Sequence, residues 1–335
     1  MRISCRSVIL AVVAAQFLSL PGFPIDDKER EAAVLEENAK RLMDLRLPGS
    51  PPFRLTEDVG VRTHGGKWVE GSYTLIWAGP DRWRDELTFP DYHEVQVGGE
   101  QSFWRIRNPP SRTEAAVRAR SVVTPVKIPE GTTNRHIKRI YETRAGEMIA
   151  KCVVAKPFQL RLVEFCFDAE RGLLVHRGAK DPTGIESTEL NDYLNLGGKF
   201  LPRQRRDFRK GIQVAEVKVR DASMLHEVDA ASFSPPAGGV QIPHCHDPAP
   251  PKAIIHPDPE YTTSARINRI TGTVVLDVEI GMQGHIEDIV LLEALDPGLD
   301  HAAVDTLRKR WRFEPAACSG TPVPADLRVE VSFRQ

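Results

Sequence analysis

The stretch GTVVLDVEIGMQGHIEDIVLLEA, residues 272–294, decides the fold of the C-terminal part of the chain. Val274, Leu276, Val278 and Ile280 alternate with Val275, Asp277 and Glu279, the period of a strand with one buried face. Gly281-Met282-Gln283-Gly284 reads as a turn whose glycines are free to take positive φ, and Ile286–Leu292 returns as a second strand. Pro297-Gly298 breaks the chain. Asp300 is placed to cap a helix in which Leu299, Ala303, Leu307 and Trp311 recur one turn apart, a stripe that packs on the sheet. Leu327, Val329, Val331 and Phe333 then alternate with Arg328, Glu330, Ser332 and Arg334 as a third half-buried strand. A short helix is expected ahead of the unit at Tyr261–Arg269.

Moving outward, Ser234 to Pro259 holds eight of the chain's 26 prolines, which deny the backbone donors and favour an extended linker. Before it, Phe53 to about Arg220 breaks into short alternating runs separated by Gly, Pro, Asp and Asn, a long antiparallel meander. A helix at Glu114–Val122 is expected to cross it. Asp26–Leu47 carries Ala32, Leu35, Ala39, Leu42 and Leu45 or Met43 at helical spacing and reads as an amphipathic helix. The expected organisation is a signal peptide at 1–22, a β domain at 26–233, a proline-rich linker at 234–256 and a C-terminal domain at 257–335. The fold class is α+β.

At the N-terminus, Arg2 and Arg6 precede the uncharged apolar run Val8–Leu20 and then Pro21-Gly22, the layout of a secretory signal. Its 13 residues fall short of the roughly 20 that cross a bilayer as a helix, so an exported, soluble, periplasmic protein is expected, with an uncleaved anchor as the alternative. Cys5 lies ahead of the apolar run and does not suit lipidation. In an oxidising compartment the other four cysteines are expected as disulfides. A hairpin centred on Gln159 pairs Val153 with Phe165, Ala155 with Val163 and Cys152 with Cys166, within bridging reach at about 4.5 Å between Cα atoms. That leaves Cys245 with Cys318.

With 45 basic and 46 acidic residues, the net charge of −1 gives no field to recruit nucleic acid. There is no P-loop, dinucleotide fingerprint, nucleophile elbow or zinc-protease helix in the sequence, and catalytic residues and cofactors are both expected to be none. His244-Cys245-His246-Asp247 groups metal-capable side chains, but neighbours on an extended chain point apart, so no metal is expected. Arg203, Arg205, Arg206, Arg209 and Lys210 form a basic run around Asp207, read as a solvated loop or strand edge rather than a phosphate or lipid site.

Together with GLDHAAVDTLRKRWRFEPA (298–316) and GTPVPADLRVEVSF (320–333), the opening stretch resembles the TonB C-terminal domains, most specifically in Trp311-Arg312-Phe313, Pro315-Ala316, Gly320 and Pro322-Val323. The resemblance implies a small ββαβ unit whose exposed edge accepts an extended peptide of an outer-membrane transporter or another envelope protein. The edge residues expected there are Val323, Leu327, Arg328, Val329, Glu330, Val331 and Phe333, while Trp311 and Phe313 are expected in the core. The transducers of that family couple through a membrane helix and a long stalk, and here a β domain precedes the prolines, so binding is expected rather than force transmission. The first domain resembles the lipoprotein-carrier half-barrel in GSYTLIWAGPDRWRDELTFPDYHEVQVGGEQSFWR (71–105) and DAASFSPPAGGV (229–240). That resemblance implies a concave face on which Trp68, Tyr73, Leu75, Trp77, Trp83, Leu87, Phe89 and Trp104 line a cavity for a lipid or acyl chain, the other reading being an ordinary sheet core.

Overall fold

A computed structural model describes residues 26–334 apart from 48, 100–101, 124–134, 146, 158–161, 182–183 and 244–247. In chain order the elements are α1 (Asp27–Met43), β1 (Phe53–Arg62), β2 (Trp68–Trp77), β3 (Trp83–Phe89), β4 (Tyr92–Gly98), β5 (Ser102–Asn108), α2 (Glu114–Arg120), β6 (Arg135–Ala145), β7 (Met148–Pro157), β8 (Leu162–Asp168), β9 (Leu174–Asp181), β10 (Gly184–Leu196), β11 (Lys199–Arg209), β12 (Ile212–Met224), β13 (Val240–Pro243), β14 (Lys252–Ile255), α3 (Thr263–Ile267), β15 (Gly272–Ile280), β16 (Ile286–Glu293), α4 (Pro297–Arg310), β17 (Arg312–Glu314), β18 (Ala316–Cys318), β19 (Thr321–Val323) and β20 (Ala325–Phe333).

Among the described residues, thirteen strands form one antiparallel sheet in the order β13-β5-β4-β3-β2-β1-β12-β11-β10-β9-β8-β7-β6. The fold is α+β, as the alternating runs imply. Pairing of β1 with β12 joins two meanders, and each half has its own core. On the β6–β11 half, α1 buries Ala32, Ala39 and Met43 against Phe165, Phe167 and Leu174. Asp26 caps its N-terminus. On the β1–β5 half, α2 sets Ala115, Ala116 and Ala119 over Leu55, Tyr73, Leu75 and Leu87. Small side chains on α2 let a charged helix lie close to a sheet.

The β7–β8 register is the expected one, with Cys152 opposite Cys166, Val153 opposite Phe165 and Ala155 opposite Val163. Cys152 and Cys166 form a disulfide with Cα atoms 4.0 Å apart. Cys318 is also disulfide-bonded, whereas Cys245, its expected partner, lies outside the described residues together with His244, His246 and Asp247. So does the 1–22 segment read as a signal.

Three expectations change. The basic run lies not in a loop or at an edge but mostly within β11, between β10 and β12, because opposite charges neutralise it: Arg206 pairs with Glu189 on the neighbouring β10, and Arg205 with Asp207 two residues along its own strand. The proline-rich segment is extended as expected in β13 and β14 but is not a free linker there, since β13 adds to the large sheet and β14 pairs with β17. Finally, Asp296, not Asp300, caps α4. Its Oδ1 accepts from the amides of Gly298 and Leu299 at 3.0 and 3.1 Å, because Pro297 already occupies the first helical turn. Asp300 instead accepts from the Leu295 amide at 2.8 Å.

The C-terminal sheet has the order β16-β15-β20. Leu299, Ala303 and Leu307 of α4 are fully buried against Val274, Leu276, Val278 and Ile280. The turn between β15 and β16 needs Gly284, which sits at φ +74° beneath the Phe313 carbonyl, where a Cβ would lie 1.8 Å from the oxygen.

Candidate functional site

Strand β20 is hydrogen-bonded on one side only: β15 is its neighbour from Gly272↔Phe333 to Ile280↔Ala325, and no described strand pairs with its other side. Val329, Val331 and Phe333 point into the core, with Leu327 half-buried beside them, while Asp326, Arg328, Glu330 and Ser332 are exposed on the opposite face. An edge of this kind presents a row of backbone donors and acceptors to solvent. The other edge of the sheet, β16, is obstructed. Arg118 of α2 donates to the Leu292 carbonyl, and Arg209 pairs with Glu293.

The face of β15 away from α4 is buried as well, which its sequence did not suggest. Val275, Val290 and Leu292 close on Val117 of α2, and the charged residues beside them meet arginines of the first domain. Glu279 accepts from Arg105 at 2.5 Å and Arg107 at 2.6 Å. Arg112, whose side chain is only 6% exposed, reaches Asp277 at 2.7 Å, Asp288 at 2.8 Å and Asp326 at 2.9 Å. The network runs on into the large sheet: Arg107 also bonds Glu94 at 2.7 Å, and Arg120 binds both Glu94 and Asp85. Burial raises the Asp277 and Asp85 carboxyls above the usual range, only partly offset by Arg112 and Arg120 respectively. For Glu94, burial pushes the same way but loses to Arg120, the Tyr92 hydroxyl and Arg107, which pull it down to about 2. Such pairs are charge-assisted and directional, so they fix how the domains meet more than they add net stability.

The profile of the Gram-negative bacterial TonB protein C-terminal family matches residues 257–335, the whole of the β15–β20 unit with its leading helix. Residues 257–335 are a TonB C-terminal domain. Protein TonB of Klebsiella aerogenes is 32% identical over 84 residues, covering 25% of this chain and 32% of that protein. The chain therefore spans about a third of the curated relative it matches. The first domain is similar in shape to a LolA-superfamily protein of Nitrosomonas europaea (TM-score 0.38, 12% identity, 60% of this chain and 96% of that one). It is also similar to a putative outer membrane lipoprotein-sorting protein domain of Vibrio parahaemolyticus (0.41, 9%, 59% and 95%) and a DUF1329-family protein of Desulfovibrio piger (0.45, 10%, 63% and 99%).

In the TonB C-terminal domain, the residues expected at the edge divide by face. Val323, Val329, Val331 and Phe333 are buried and Leu327 is half-buried, so the edge they offer is backbone, whereas Arg328 and Glu330 offer side chains. Phe313 is core, and Trp311 donates its indole N–H to the Pro257 carbonyl at 3.0 Å. In the first domain Tyr73, Leu75, Trp77, Leu87 and Phe89 do not line an open concavity but are packed core, because α2 and Val122–Val123 fill the face they share. Trp83 packs at the margin of that core, Trp104 is half-buried on β5, and Trp68 lies across Gly60 beside a groove on the other face. Arg105, Arg107 and Arg112 carried no signal in the sequence: their carboxylate partners in the TonB C-terminal domain lie 165 to 214 residues away.

Proposed function

We propose that this chain is a non-catalytic envelope protein that binds an extended peptide by strand addition along β20, the partner being an outer-membrane transporter or a related envelope protein engaged in transmembrane transport. The observation that carries the reading is the asymmetry of the small sheet. Arg118 and Arg209 occupy the β16 edge, and β20 is left with one neighbour. Backbone hydrogen bonds would supply affinity, and the exposed Arg328 and Glu330 would select among sequences. Export to the periplasm, the division at 26–233, 234–256 and 257–335, and the pairing of Cys318 with Cys245 belong to the same proposal. Among the described residues no helix is long and apolar enough to cross a membrane. Among the described residues, Tyr73, Leu75, Trp77, Leu87 and Phe89 are packed core together with α2, which favours the peptide reading over a lipid-carrying one.

Titrating N-terminal peptides of outer-membrane transporters into isotopically labelled full-length protein tests the proposal. Backbone signals of 323–333 are expected to shift. Binding that moves other signals and leaves these unchanged would refute it.

A further inference from the structure

Beyond the start of β20 the two domains enclose a cleft of about 510 Å³. One wall is β13 with Arg105–Arg107 of β5, and the other is formed by Glu279, Met282, Glu287 and Pro324. Pro324 directly precedes Ala325, so the cleft meets β20 at its N-terminal end. Two apolar side chains stand on its opposite lips with large exposed surfaces, Val240 at 65% and Met282 at 43%. Most of the charge inside is already spoken for, because Arg105 and Arg107 both hold Glu279. Glu287 is the exception, a rim carboxylate with no salt bridge among the described residues.

We propose, resting on the strand-addition reading, that this cleft is a second subsite for the same peptide. A strand added antiparallel to β20, as every described strand pair is, runs from Phe333 toward Ala325 and delivers its C-terminal continuation to Pro324. There the lips take apolar side chains, the unbranched Met282 adapting to their shape, and Glu287 takes a lysine or arginine. The outer edge of β13, paired on one side by β5, presents backbone groups that a peptide satisfies and a hydrocarbon chain does not. The partner is thus an extended segment with apolar residues followed by a basic one, C-terminal to its strand-forming part. Both domains read it, which gives their fixed docking through Arg105, Arg107 and Arg112 a purpose beyond stability.

The test uses the full chain and two fluorescent probes, an octapeptide of alternating threonine and valine and the same peptide extended at its C-terminus by leucine-leucine-lysine. Burial of two leucines predicts that the longer probe binds roughly tenfold tighter or better. Met282→Glu and Val240→Glu, at exposed positions that tolerate a charge, are expected to abolish that gain while leaving the octapeptide's affinity unchanged. Equal affinity of the two probes, or a gain that survives both substitutions, would overturn the cleft proposal alone. If neither probe binds, the strand-addition reading fails and the cleft falls with it.

Discussion

The two sheets of this chain solve the same problem in different ways. The thirteen-stranded sheet covers its apolar faces with its own helices, α1 over one half and α2 over the other. The three-stranded sheet covers one face with α4 and borrows the first domain for the other, through Val117 and a set of arginines. Hydrophobic burial is forgiving of exact position, whereas a carboxylate buried against an arginine is not. The large sheet is therefore a packed support, and the small one is an oriented module whose remaining freedom lies at the β20 edge.

The contrast is broken most severely by Arg112→Ala, which takes a nearly buried guanidinium away from the half-buried Asp277 and Asp288. A loss of about 3–5 kcal/mol is expected in denaturant unfolding, by analogy with other buried pairs deprived of one member. A loss below about 1 kcal/mol would mean that the domains are held by apolar contact alone. Within the large sheet, Cys152→Ser with Cys166→Ser opens a loop of 14 residues' separation and is expected to cost about 3 kcal/mol. Peptide binding at the small sheet should not change.

How far these features were legible depended on whether the partner was near in sequence. The Cys152–Cys166 bridge followed from strand alternation around a short connection, and the α4 stripe from its period. Tyr73 and Trp77 were visible as aromatic strand residues, but whether a ligand or α2 covers them depends on a helix that crosses from 40 residues away, signalled only by three alanines among charges. Asp277 and Glu279 read as a solvated face because polar alternation is identical whether water or an arginine lies opposite. Asp296 is hard to read as a cap because Pro297, a helix breaker in the interior, is a favoured first residue.

Acid sharpens the comparison further. The Glu94 carboxyl sits at about 2 in the folded chain against an ordinary value of 4.5, so its ion pairs contribute fully above 4.5 and are lost as pH falls toward 2. Unfolding followed between pH 5 and pH 2 should steepen over this window in the parent and flatten in Glu94→Gln. An unchanged slope would remove Glu94 from the network. The smallest effect expected is that of Asp296→Ala, about 1 kcal/mol, confined to α4 and the small sheet.

The central claim, that β20 is the receptive edge and β16 is not, is tested most directly by backbone amide exchange of the full chain with and without a saturating transporter peptide. Amides of Ala325–Phe333 that face away from β15 should become protected while those of Ile286–Glu293 stay as they were. Protection appearing on β16, or on neither strand while the peptide is bound, would contradict the account.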